Sequence, residues 1–240
     1  MTTRTAALAL VAVILLAGCF GSPGSPTDTD GSGPGIGTPE QSATSTPYPA
    51  PGVGPETLNN ATALLDAYQG SMTNVGFVAT VRSSNRTAVY TYARDGSRTI
   101  DRDNGSTVIW TNGSASVTRT VNDGNATYSR PSGELSDRTM TRFSRLESLI
   151  TSGAFERTGT TACGDTTCVV LAADGSIGGN YRNFTAELHV DRSGVIHHLD
   201  AEYVRAMDDR QFDYEFTVTQ VGTESLERPD WVAEGLDSLE

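Results

Sequence analysis

The sequence predicts a mainly β domain with two helices, in which a large antiparallel meander forms a curved part-barrel plugged by those helices. Three observations lead there. From Phe77 onward the hydrophobic residues recur with a period of 2 instead of 3.6. The pairs Asp95-Gly96, Asn104-Gly105, Asn112-Gly113 and Asp123-Gly124 supply the tight turns that hairpins favour. Apolar stripes at helical spacing occupy only two places, one before the meander and one inside it.

In chain order, Pro55 suits a first helical position, and Leu58, Ala61, Leu65 and Tyr68 form a stripe ending at Gly70. Phe77, Ala79 and Val81 then alternate with polar neighbours, as do 87–93, 97–102, 106–111, 114–121 and 126–130, making about six strands. Ser136 or Asp137 caps a second helix in which Met140, Phe143, Leu146 and Ile150 share one face, closing near Gly153. Strands resume at 154–161 and 167–173. They continue through 182–190, 195–206 (entered by the Arg192-Ser193-Gly194 turn) and 211–221. After Pro229, Trp231 and Val232 form an apolar clasp. A sheet of about ten or eleven strands does not stay flat; it coils into a barrel or part-barrel, or splits into a sandwich. Two short amphipathic helices suit the part-barrel, whose concave face they plug.

The domain occupies residues 55–240, long enough to bury a proper core. Ahead of it, Arg4 is followed by an apolar run from Ala6 to Ala17. As a helix that run spans about 18 Å, too short for a hydrocarbon core of about 30 Å. Residues 1–18 therefore read as a secretory signal peptide. Leu16-Ala17-Gly18-Cys19 resembles the lipobox of membrane lipoproteins, which implies that Cys19 is the lipid attachment site; a plain signal peptide followed by a chance cysteine is the alternative. Two acyl chains hold a protein stably to a bilayer, so a diacyl anchor suffices by itself. Residues 19–54 are rich in Gly, Pro, Ser and Thr and contain little that can form a core, so they read as a disordered tether. Together these features predict a location on the extracellular face of the cell membrane, held by lipid.

All 17 basic residues are arginine, against 29 acidic ones, for a net charge of −12. Such a charge strains a compact state in dilute buffer, whereas molar salt shortens the Debye length to about 3 Å and screens the repulsion. Arginine still forms directed, bidentate contacts under that screening, so the composition predicts a halophilic host. The lack of a basic cluster in the sequence argues against nucleic acid.

Two features fit an oxidising exterior. Asn-x-Ser/Thr triplets begin at Asn60, Asn85, Asn104, Asn112, Asn125 and Asn183, several of them in expected turns, where a glycan is tolerated. Cys163 and Cys168 in "CGDTTC" have the spacing to close a hairpin disulfide. A metal site there requires two more ligands, and none is near in sequence.

The order of helix, long meander, inserted helix and further long strands behind a lipobox resembles the lipoprotein-localisation-factor (LolA/LppX-like) fold over roughly residues 55 to 232. More closely, the sequence resembles haloarchaeal cell-surface lipoproteins expected to share that fold. Members hold acyl chains in an apolar concavity between sheet and helices. The resemblance therefore implies a cavity near Phe77, Leu146, Phe184, Phe212 and Phe216; these residues serve equally as ordinary core.

The sequence predicts no catalytic residue, no metal and no cofactor. His197 and His198 are adjacent and point to opposite faces of a strand, so at most one joins His189 across strands, with Asp191 or Glu187 as a further metal ligand. "DGSIGG" at 174–179 misses the spacing of a nucleophile elbow. "DRDNG" at 101–105 lacks the third oxygen ligand and closing glutamate of a calcium loop. The expected function is a membrane-anchored lipoprotein that binds or carries a lipid or other apolar ligand. The alternative is a non-catalytic structural or interaction module of the cell envelope with a packed core, its protein partner unidentified.

Overall fold

The computed structural model describes residues 50–84, 86–133, 135–141, 143–177 and 181–240. The expected signal peptide, Cys19, most of the expected tether and Asn85 lie outside the described residues.

Eleven strands form one antiparallel sheet. The first six are β1 (Phe77–Ser83), β2 (Arg86–Tyr92), β3 (Arg98–Arg102), β4 (Thr107–Thr111), β5 (Ser116–Asn122) and β6 (Asn125–Ser129). After two helices come β7 (Glu156–Cys163), β8 (Thr166–Ile177), β9 (Tyr181–Asp191), β10 (Ile196–Arg205) and β11 (Arg210–Val221). The spatial order is β6-β5-β4-β3-β2-β1-β11-β10-β9-β8-β7. Two up-and-down meanders thus lie side by side, and their seam is the pairing of β1 with β11, where Phe77 faces Val221 and Ser83 faces Tyr214. The edges are β6 and β7, so the sheet is not closed into a barrel.

The sheet agrees with the sequence expectation; the helices differ from it. The described residues contain four helices, not two. The first, α1 (Ala61–Val75), starts later than expected because Asn60 is its cap, the Asn60 side chain accepting from the Ala63 N–H at 3.0 Å. It also runs through Gly70: burial of Tyr68 and Met72 on either side outweighs a glycine cost of about 1 kcal/mol. The helix stops at Gly76, whose φ of 70° favours glycine and where a Cβ would meet the Thr223 carbonyl oxygen at 2.1 Å. The second expected helix is two helices, α2 (Asp137–Thr141) and α3 (Ser144–Ser152). At the joint Phe143 adopts an extended ψ of 119° and turns its ring inward, 4.5 Å from Tyr90 and 5.4 Å from Phe216. Ser136 does cap α2, accepting from the Thr139 N–H. The expected apolar clasp is the fourth helix, α4 (Trp231–Asp237).

The fold also begins ahead of Pro55. Ala50 is buried in the main core, and Val53 bridges to Leu58, so residues 50–54 belong to the domain instead of the tether.

Strand alternation sorts side chains onto two faces. On one, Leu188, Leu199, Phe216 and Ala79 form a floor under Leu64, Leu65, Tyr68 and Met72 of α1 and Leu146, Leu149 and Ile150 of α3. On the other, Trp110 and Val117 face each other across β4 and β5 and are covered by Trp231 and Val232 of α4. Ile109, next to Trp110 in β4, belongs to the main core, which fixes α4 on the face opposite the other helices.

Candidate functional site

Where the helix cover ends, the floor of the sheet lies open. Register places Val81 opposite Ala88 and Phe216, Tyr90 opposite Ala79 and Ile100, and Tyr214 opposite Ser83 and Ala201, all on the helix-covered face. Above them stand Phe143 and the polar turns of α2 and α3. The result is an open groove of about 480 Å³, floored by Val81, Tyr90 and Tyr214 and walled by Phe143, Arg138 and Arg145. That volume falls within the range of small-ligand sites, about 300–1,000 Å³.

A second recess of about 210 Å³ shares Val81 and Tyr90 with the first and is bordered by Arg86 and Arg102. Arg86 faces Ser83, and Arg102 faces Ala88, so both project from the same face as the groove floor. Two arginines therefore rise from the sheet and two descend from the helices, around one apolar floor. Arg138 has Glu147 at 3.7 Å. Among the described residues Arg86, Arg102 and Arg145 take part in no ion pair. The Arg145 guanidinium lies 5.6 Å from the centre of the Tyr203 ring.

The groove holds one unpaired polar atom. Tyr214 is 2% exposed, and its hydroxyl has no hydrogen-bond partner among the described residues. Burial pushes its pKa well above the usual tyrosine value, Tyr90 adding to the rise and Arg145 opposing it. Tyr90 is likewise raised by burial, against the pull of Arg102. Both groups stay neutral phenols, each able to donate one hydrogen bond.

Phe77, Leu146, Phe184, Phe212 and Phe216, expected near a cavity, belong to the main core or pack against it. Phe77, Leu146, Phe184 and Phe216 are fully buried in it, and Phe212 is partly buried against it. Their rings are spoken for: Phe77 stacks on Tyr92 at 5.8 Å, Phe184 meets Phe155 at 6.4 Å, and Phe212 stacks on Tyr203 at 5.6 Å. The open groove lies beside this core, on residues such as Val81 and Phe143 that the sequence placed on apolar strand and helix faces but not at a site. The parity of β1, β2 and β11 was legible, but where the helices stop was not.

Cys163 and Cys168 form a disulfide across the β7–β8 hairpin. The fold adds what spacing did not show: a ring nitrogen of His197 lies within 4.8 Å of both sulfurs. The histidines separate into two groups. His189 faces His198 across β9 and β10, rings 5.2 Å apart, and bonds Glu187 at 2.7 Å. His197 instead bonds Asp191 at 2.9 Å. The expected cross-strand pair forms, with Glu187 beside it and Asp191 elsewhere. Burial raises the Asp191 pKa, but hydrogen bonds from His197, the Ser193 hydroxyl and the Val195 and Ser193 N–H groups outweigh it and hold the carboxyl below its usual range.

Asn60, Asn104, Asn112, Asn125 and Asn183 are all exposed. Asn112 also uses its side-chain oxygen to accept from the Ser114 and Ala115 N–H groups, leaving the amide nitrogen outward. No helix among the described residues is long and apolar enough to cross a membrane.

No family model matches the chain, and no curated protein matches it in sequence. Among solved structures it is similar to MucB in complex with MucA, at 16% identity and a TM-score of 0.33, with 72% of this chain covered. The match spans 59% of MucB. It is similar to the lipoprotein LppX of Mycobacterium tuberculosis at 10% identity and a TM-score of 0.39, covering 70% of this chain and 99% of that one. A LolA superfamily protein of Nitrosomonas europaea matches at 10% identity and a TM-score of 0.28, covering 70% and 94%. The solved structures it resembles thus include LolA- and LppX-like folds.

Proposed function

We propose that this protein is a non-catalytic binding protein, lipid-anchored at Cys19 on the outer face of a cell membrane in a salt-rich setting, that holds an amphiphile in the groove between β1, β2, β11 and the α2–α3 joint. The observation that carries this reading is the groove itself: an apolar and aromatic floor of about 480 Å³ left uncovered beside a filled core. The lipobox-like Leu16-Ala17-Gly18-Cys19 supports the anchor, and the exposed sequons support an exterior location.

The test is native mass spectrometry with organic extraction, on the full chain carrying Cys19→Ser so that no anchor lipid or detergent intervenes. Purified from a halophilic host in molar salt, the protein should carry near-stoichiometric lipid, and Val81→Glu should abolish it by charging the groove floor. A clean unliganded mass that takes up no added amphiphile overturns the binding reading. In parallel, Cys19→Ser should move the protein from the membrane fraction to the soluble one.

The packed interior favours a second reading. Four of the five residues expected around a cavity are fully buried in the core. A structural or interaction module of the envelope needs only such a core, and it becomes the better account if the groove stays empty.

A further inference from the structure

We infer that the amphiphile bound by this protein is anionic, its head group held by Arg86, Arg102, Arg138 and Arg145 while its chain lies on the Val81–Tyr90–Tyr214 floor. This rests on the amphiphile-binding reading above and adds the chemistry of the ligand.

Charge distribution is the first ground. The chain carries 17 arginines against 29 acidic residues, so four arginines gathered around one apolar floor are a local reversal of its net charge. Four arginines border two adjoining recesses that share Val81 and Tyr90. Three of them have no ion-pair partner among the described residues, as is also true of Arg119, Arg157 and Arg210 elsewhere. What sets the four apart is their place around one apolar floor, which Asp103 also borders on the Arg86–Arg102 side. Unpaired guanidinium groups around an apolar floor are complementary to a phosphate or carboxylate joined to a hydrocarbon chain, and guanidinium binds both in bidentate fashion.

Tyr214 is the second ground. Its hydroxyl is buried, has no partner among the described residues and lines the same groove, and a buried donor left unmade carries a real cost. An anionic oxygen entering between Arg145 and Tyr214 supplies the missing acceptor.

Salt is the third. At about 1 M the Debye length is about 3 Å, so long-range attraction is screened and only charges in direct contact retain strength. A fixed cluster on a rigid sheet and helix frame meets that condition.

The experiment compares decyl phosphate, decylphosphocholine, decyl maltoside and inorganic phosphate by calorimetry against the full chain carrying Cys19→Ser, in molar salt and below micelle formation. Decyl phosphate should bind about tenfold or more tightly than the other two amphiphiles, the scale of one charge-assisted hydrogen bond. Arg86→Gln with Arg102→Gln, and separately Arg145→Gln, should erase that preference by bringing decyl phosphate down to the affinity of decyl maltoside for the same variant, with the unfolding midpoint reporting an intact fold. Arg86→Lys with Arg102→Lys should lose part of the preference, since an ammonium keeps the charge without the bidentate fork. Equal binding of the three amphiphiles overturns the head-group assignment and leaves the binding reading standing. No binding of any overturns both. Inorganic phosphate competing at equal concentration overturns the amphiphile in favour of a free-anion site.

Discussion

The two meanders use one sheet in opposite ways. Strands β8 to β11 are 10 to 12 residues long, and their helix-facing side is the floor of the main core. Strands β3 to β6 are 5 to 7 residues long, and their main burial away from Ile100 and Ile109 is on the other side, under α4. On the helix-facing side β5 and β6 carry Thr118, Thr120, Thr127 and Ser129, which need no cover. The lesson is that a sheet this wide is protected in patches, and a ligand groove arises where one patch ends. Val81 and Tyr90 lie at that boundary: they have the apolar character of the long half and the openness of the short one.

The comparison breaks most sharply at Phe216. Phe216→Ala should cost about 3–5 kcal/mol, as for a fully buried phenylalanine, and lower the unfolding midpoint seen by every spectroscopic probe. Survival of the main core at near-native stability would mean that the long half is not the organising unit. Val232→Ala sharpens the contrast on a smaller scale. It should cost about 1–2 kcal/mol, with faster amide exchange in β4 to β6 and little change in β8 to β11. Uniform acceleration would merge the two cores into one.

The smallest effect concerns Asp191, at the end of β9. Its pKa is lower folded than unfolded, so its contribution is present above the ordinary carboxylate range and is lost as pH falls through the folded value. Asp191→Asn should therefore lower stability by about 1 kcal/mol at neutral pH and flatten the acid limb of the stability curve. Chemical denaturation at stepped pH values measures both, and an unchanged acid limb would remove the residue from the account.

Much of this architecture was legible. The pairs Asp95-Gly96, Asn104-Gly105, Asn112-Gly113 and Asp123-Gly124 each fix a hairpin, and with those turns placed, alternation assigned most strands nearly to their observed ends. Local chemistry did not reach further. The break at Phe143 comes from tertiary demand, since packing the ring between Tyr90 and Phe216 outweighs continuing the helix. The late start of α1 depends on Asn60 outcompeting Pro55 as an initiator. The arginine collar was hidden because Arg86, Arg102, Arg138 and Arg145 come from separate elements; only register and helix placement bring them together. For the same reason the sequence showed no third group near Cys163 and Cys168, although His197 lies beside them in space.

The seam between β1 and β11 has a consequence for how the chain acquires its structure. The strand that opens the sheet waits for the strand that closes it, because Phe77 and Val81 pair with Val221 and Phe216. During synthesis, β1 to β6 emerge first with one apolar edge unfilled, and such an edge is a template for pairing with other chains. High sequence separation between partners also slows folding. A protein built this way is most vulnerable in the interval before its last strand arrives, and the helix-bearing crossover of α2 and α3 reaches the far edge before the middle is complete.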